Sequence, residues 1–216
     1  LAERYVQSGW NVIGAARDLN KAEQLKALSP YKLVQLDSGD EASTLHAAKE
    51  LEGETIDLLI NNAGIGIGAT LETITKADMV QQFEINTVGP FLVTRAFLPN
   101  LKAAVAARGS ATVAQISSFT GSISSGYLPI TSMNYGYRAS KAALNLVNAA
   151  LAVDLKSDHI VMISLHPGYV ATAMTNFAES AISTDRSVDG LVSVIAKATF
   201  EDTGKFINYD GTFTPW

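Results

Sequence analysis

The chain has 216 residues, 47% hydrophobic and 17% charged, with a formal net charge of −5. That balance excludes a disordered chain. No apolar run reaches the roughly 18 residues a membrane helix needs, and no basic block offers nucleic acid or an anionic membrane a footprint. Cysteine is absent, which removes disulfides, thiolate catalysis and cysteine-based metal sites. His46, His159 and His166 are too scattered for metal-ligand spacing, so no metal is expected. With no signal or anchor in view, the expected location is cytoplasmic.

In chain order, Leu1, Tyr5 and Val6 already read as a helix, so a segment ahead of them is expected. Strands are predicted at Asn11–Ala15, Lys32–Leu36, Ile56–Ile60, Ala111–Ile116, Ile160–Leu165 and Lys205–Tyr209. Helices are predicted at Lys21–Leu28, Glu41–Leu51, Lys76–Ala107, Ala139–Leu155 and Val188–Ala198. Runs such as Leu58-Leu59-Ile60 and Val161-Met162-Ile163 are apolar on both faces, as in buried parallel strands. Strand and helix alternate, which predicts a doubly wound parallel α/β sheet covered on both sides, in one domain over 1–216. Loops are predicted at Thr120–Asn134 and Tyr169–Ser187.

In such sheets ligands sit at the carboxyl ends of the strands, so residues just beyond each strand are the candidates. Gly64, Gly66 and Ala69 satisfy G-x-G-x-x-A after a strand, and Glu84 follows 20 residues later. That acid falls in a helical pattern rather than at a strand end, so the cluster reads as a loop passing close to a ligand. Tyr137 and Lys141 stand four apart, on one helix face, where an ammonium would favour the phenolate. Taken alone that spacing more often means an uncoupled surface pair. Ser117 and Ser118 follow a strand and precede Gly121, where a hydroxyl could meet a substrate oxygen or merely cap a turn. Neither lies in a G-x-S-x-G elbow, which argues against a hydrolase. Asn61-Asn62-Ala63-Gly64 and Pro167-Gly168-Tyr169-Val170-Ala171-Thr172 end two more strands. Asn86 sits inside a helix, where an amide is a poor choice.

Each feature has an ordinary alternative; their joint order does not. Asp57-Leu-Leu-Ile-Asn-Asn-Ala-Gly64, Asn86 with Gly89, Ile116-Ser-Ser118 with Gly121, Tyr137-x-x-x-Lys141, and Pro167-Gly168 with Thr172 together resemble the short-chain dehydrogenase/reductase family from about Gly9 onward. Tyr137 to Asn145, Leu165-His-Pro-Gly168 and the ending from Gly204 to Trp216 look like its C-factor and sniffer-type carbonyl reductases.

The resemblance implies a Rossmann-type fold and an NADP(H)-dependent reduction of an aldehyde or ketone. It makes Ser118 the holder of the carbonyl oxygen and Tyr137 the proton donor. Lys141 would bond the nicotinamide ribose and lower the Tyr137 pKa, and Asn86 would hold a water. Pro167, Gly168, Val170 and Thr172 would seat the nicotinamide amide. Asp37 would contact adenine, and Asn61, Ala63 and Gly64 would line the cofactor. The second family strand ends here in Ala15-Ala16-Arg17, where an acid would select NAD; Arg17 can instead pair with a 2′-phosphate, favouring NADP(H). Between Ser118 and Tyr137 lie more residues than the family usually has, placed in Gly126–Asn134 at the substrate mouth. The family's first strand and glycine-rich phosphate loop are not in this sequence. A hydrophobic carbonyl compound is the expected partner, with pairing into dimers or tetramers through helices carrying Phe83–Leu98 and Tyr137–Asp154. A nucleotide-binding signalling protein without turnover is the alternative.

Overall fold

The computed structural model describes residues 1–124 and 134–216. All six predicted strands form: β1 (Ile13–Ala16), β2 (Lys32–Gln35), β3 (Leu58–Asn61), β4 (Ala111–Ile116), β5 (Ile160–His166) and β6 (Phe206–Asn208). Every ladder is parallel, pairing β1 with β2 and then β3, β4, β5 and β6 in sequence order. The helices are α1 (Ala2–Gln7), α2 (Glu23–Ala27), α3 (Glu41–Glu50), α4 (Lys76–Phe83), α5 (Gly89–Ala96), α6 (Leu98–Arg108), α7 (Tyr135–Asp154) and α8 (Thr184–Lys197). Among the described residues no helix is long and apolar enough to cross a membrane.

The strand period of two divides the core into layers. Val113, Met162 and Leu59 face α6 and α7, packing on Leu101, Ala104 and Leu151. Their neighbours Ala114, Val161, Ile163 and Leu58 face the other way, against Leu191 and Ile195 of α8. The central strands are therefore apolar on both faces, and the fold is the three-layered, doubly wound α/β arrangement of the Rossmann type.

The predicted single helix over Lys76–Ala107 is instead three helices joined at two irregular points. A π turn, Glu84–Val88, separates α4 from α5, and Phe97 separates α5 from α6. Each break lies one or two residues ahead of a proline, Pro90 and Pro99, which lack the amide a regular ladder needs. Helix α7 begins at Tyr135, four residues earlier than predicted. Gly136 allows this, because a Cβ there would lie 2.3 Å from Gln82 Nε2 of α4. Tyr137 is thereby set in the first turn of a 20-residue helix.

Candidate active site

Tyr137 and Lys141 share one face of α7, beside the carboxyl end of β4. Lys141 is 4% exposed. Its Nζ lies 5.8 Å from the centroid of the Tyr137 ring and donates to the Ile116 carbonyl at 2.7 Å. Burial takes the ammonium pKa down to about 8. Tyr137 stands above its ordinary value: burial pushes it up, and a hydrogen bond with Ser118 only partly offsets that. The expected lowering of Tyr137 by Lys141 is therefore not what this geometry gives. The ammonium is turned to a backbone carbonyl, and the phenol keeps its proton, as a proton donor must.

Ser118 ends the strand-to-loop transition after β4. Its Oγ lies 2.9 Å from Thr120 Oγ1 and accepts from the Thr120 amide at 3.2 Å. The next turn packs directly on α7, since a Cβ on Gly121 would lie 2.7 Å from the Lys141 carbonyl carbon. Ser118, Tyr137 and Lys141 thus meet in one place, although they come from two elements.

Asn86 sits in the π turn and is fully buried. Its Oδ1 accepts from the Ile65 amide at 2.8 Å, and its Nδ2 donates to the Ile65 carbonyl at 2.8 Å and to Ser140 Oγ at 3.0 Å. Both amide hydrogens are engaged, and the side chain braces the Gly64–Gly68 loop against α7. The Asn61 side chain is likewise engaged within the protein. Its Nδ2 turns inward to Thr94 Oγ1 at 3.1 Å, Gln115 Oε1 at 3.0 Å and the Pro90 carbonyl at 3.3 Å. It ties β3 to the proline-broken helix and presents only backbone to a ligand. Ala63 is exposed, and the bare α-carbon of Gly64 faces the site: a Cβ there would lie 3.2 Å from Asn86 Oδ1 and 3.5 Å from Lys141 Nζ.

The other candidates stand at neighbouring strand ends. Arg17 is exposed just after β1. Asp18 beside it does not neutralise it, because that carboxylate caps the Asn20 amide at 2.9 Å and pairs with Lys21 at 3.5 Å. Asp37, after β2, accepts from the Gly39 amide at 2.9 Å, and its own amide donates to Ser43 Oγ. After β5, Gly168 takes φ +89° with Ile182 and Tyr209 against its α-carbon, a turn no other residue fits. Pro167 accepts from Ser187 Oγ at 2.6 Å. Val170 bridges to Ile182, and the Thr172 amide donates to Thr175 Oγ1 at 3.0 Å. Met174, from this loop, borders Gly66 together with the Tyr137 ring. Of the apolar lining predicted around the mouth, residues 127–133 lie outside the described residues, as do 126–133 of the expected insertion.

Sequence reasoning missed two braces. Gln82 of α4 is wholly buried and accepts from the Ile67 amide at 2.9 Å. His166 accepts the Phe119 amide on Nδ1 at 3.1 Å. Nothing in the sequence around Gln82, which follows the polar Gln81, signals its burial; His166 is a polar residue between Leu165 and Pro167.

Residues 1–183 match the family described as short chain dehydrogenase. The chain belongs to that family. As a short-chain dehydrogenase it is an oxidoreductase, and its neighbours agree. The C-signal protein of Myxococcus xanthus is 38% identical over 162 residues, covering 74% of this chain and 93% of that protein. The NADPH-bound carbonyl reductase from chicken fatty liver superposes with a TM-score of 0.87 at 34% identity, covering 95% of this chain and 87% of the other. The carbonyl reductase Sniffer of D. melanogaster gives 0.87 at 31% identity, covering 94% and 87%.

Proposed function

We propose that the protein reduces an aldehyde or ketone to an alcohol at the expense of NADPH, with Tyr137 donating the proton. The observation that carries this reading is the meeting of a protonated, partly buried Tyr137 with Ser118 on one side and the Lys141 ammonium on the other. The bound cofactor would supply a hydride to the carbonyl carbon. The carbonyl π pair then moves to oxygen, which takes the Tyr137 proton while Ser118 Oγ holds it in place. The hydrogen bond with Ser118 favours the phenolate left behind, and solvent returns the proton. Any water in that return path would fall to the backbone of the Glu84–Val88 turn, since a π turn releases a carbonyl from the helical ladder.

The donor set fits an NADP-type dinucleotide. Arg17 is exposed with its neighbour Asp18 already engaged, Asp37 follows β2, and the bare Gly64 and the Pro167–Thr172 turn lie at strand ends on the site's side. Arg17 would take the 2′-phosphate, Asp37 the adenine and the Pro167–Thr172 turn the nicotinamide amide, with Gly64 lining the cofactor. The rim offers Met174, 53% exposed, beside Gly66 and the Tyr137 ring, so the carbonyl compound is apolar. The test is product analysis against a panel of aldehydes and ketones. One alcohol formed per NADPH oxidised supports the reading; binding of NADPH with no product from any member refutes it.

A second reading, a nucleotide-binding signal without turnover, draws on the relative named C-signal. Ser118, Tyr137 and Lys141 weigh against it, since a pure binder needs no proton donor beside a serine hydroxyl.

A further inference from the structure

We infer that the Ser118 hydroxyl is positioned by its two chain neighbours, Ser117 through Asn145 of α7 and Phe119 through His166 of β5, so that Asn145 and His166 are positioning residues for the reduction. This rests on the reading above, in which Ser118 holds the substrate oxygen.

Ser117 Oγ donates to Asn145 Oδ1 at 2.6 Å, and both residues are all but sealed from solvent, at 1% and 2% exposure. Asn145 lies one helical turn beyond Lys141, which itself lies one turn beyond Tyr137, so this bond ties the residue before Ser118 to the helix that carries the proton donor. On the other flank the Phe119 amide donates to His166 Nδ1 at 3.1 Å, and the two rings lie 5.9 Å apart. His166 is the last residue of β5, immediately before Pro167 and Gly168. This second bond therefore ties the residue after Ser118 to the strand end assigned to the nicotinamide.

The chemistry of each bond makes it directional. An imidazole accepts on Nδ1 only when neutral, with its proton on Nε2. Burial holds the His166 pKa down to about 4, against a weaker pull from Asp210, so the ring stays an acceptor. The Ser117 amide is also used, donating to the Leu165 carbonyl at 2.8 Å. Ser118 is left with a fixed backbone on both sides, and that backbone sets where its hydroxyl stands. None of Ser117, Asn145 and His166 serves the reacting atoms in this scheme; each acts through Ser118. A shift of about 1 Å in a positioned group can cost on the order of a hundredfold in rate.

The test compares His166→Leu with His166→Asn, whose Oδ1 replaces the Nδ1 acceptor, and adds Ser117→Ala. Steady-state kinetics and exchange of the Phe119 amide are measured for each. The expected result is a kcat lower by on the order of ten- to a hundredfold in His166→Leu and Ser117→Ala. KM for NADPH is expected to be unchanged, and kcat largely restored in His166→Asn. The Phe119 amide exchanges slowly in the native protein and His166→Asn and fast in His166→Leu. Equal kcat in native and both His166→Leu and Ser117→Ala overturns the inference, as does equal loss in the leucine and asparagine variants. Should the native protein reduce no carbonyl, the proposed function fails separately, and the Phe119 exchange alone decides whether His166 holds this backbone. If His166→Leu does not fold, slow native exchange retained in His166→Asn supports the tie, and fast native exchange overturns it.

Discussion

The Lys141 ammonium is bonded to the Ile116 carbonyl, the last residue of β4, at 2.7 Å. A charge held between a helix and a strand end, almost without water, is stabilised there by that bond and by little else. Its pKa near 8 is lower than the unfolded value of 10.5. Between those two values the unfolded chain binds the proton and the folded one does not, so stability rises with pH through that window, by roughly 3 kcal/mol if the whole difference is expressed. Below pH 8 the group is charged in both states and contributes no slope. Denaturant unfolding from pH 8 to 10 should show this rise, and Lys141→Met should flatten it. An unchanged slope in the variant would place the titrating group elsewhere.

The same pKa should appear in catalysis. kcat/KM reports the free enzyme. Burial holds the Tyr137 phenol above its ordinary value, so a limb near pH 8 belongs to Lys141. Lys141→Arg keeps the positive charge at every accessible pH. The limb should vanish in that variant, even if the plateau is lower. A limb that stays near 8 would assign it to another group.

Arg17 should govern cofactor choice. Losing a charge-assisted bond to a phosphate costs about 1.5–3 kcal/mol, which is on the order of ten- to a hundredfold in affinity. Titration with NADPH and NADH should show Arg17→Ala weakening only the first and reducing its salt dependence. Equal weakening of both would mean that Arg17 does not read the 2′-phosphate.

Gly121 is where the Ser118 loop touches α7, with the Lys141 carbonyl carbon and the Ala142 nitrogen 2.7 and 2.8 Å from a would-be Cβ. Backbone lies on the far side, so nothing there can rotate away. Gly121→Ala should destabilise by about 1–3 kcal/mol in chemical denaturation and reduce kcat by separating Ser118 from Tyr137. Wild-type stability would mean that the contact relaxes.

Helix α7 also carries Leu146 and Val153 on its outer face, 72% and 74% exposed, while Phe83 at the end of α4 is 45% exposed. The helices that carry these side chains are those expected to pair two copies. Sedimentation should find a dimer or larger, and Leu146→Asp should shift it toward monomer without unfolding. A native monomer at micromolar concentration would contradict this.

The strands were legible because Val113, Ala114, Met162 and Ile163 are apolar on both faces, a pattern that survives without knowing the neighbours. Tyr137 and Lys141 were legible by spacing and by their place after Ser118. The amides were not. Nothing in the residue name says that Asn61 points inward to Thr94 and Gln115, or that Asn86 grips the Ile65 backbone. The electrostatics of Lys141 were hidden too, because its partner is a main-chain carbonyl 25 residues earlier, in another element. Pro90 and Pro99 were visible, yet a sustained apolar period over Lys76–Ala107 concealed the breaks they accompany.

The claim that Tyr137 gives the proton is tested most directly by single-turnover reduction of one apolar aldehyde by native protein and Tyr137→Phe, with NADPH binding of each measured by nicotinamide fluorescence. The prediction is equal binding and a reduction slower by on the order of a hundred- to ten-thousandfold in the variant. Equal rates in the two proteins would contradict it.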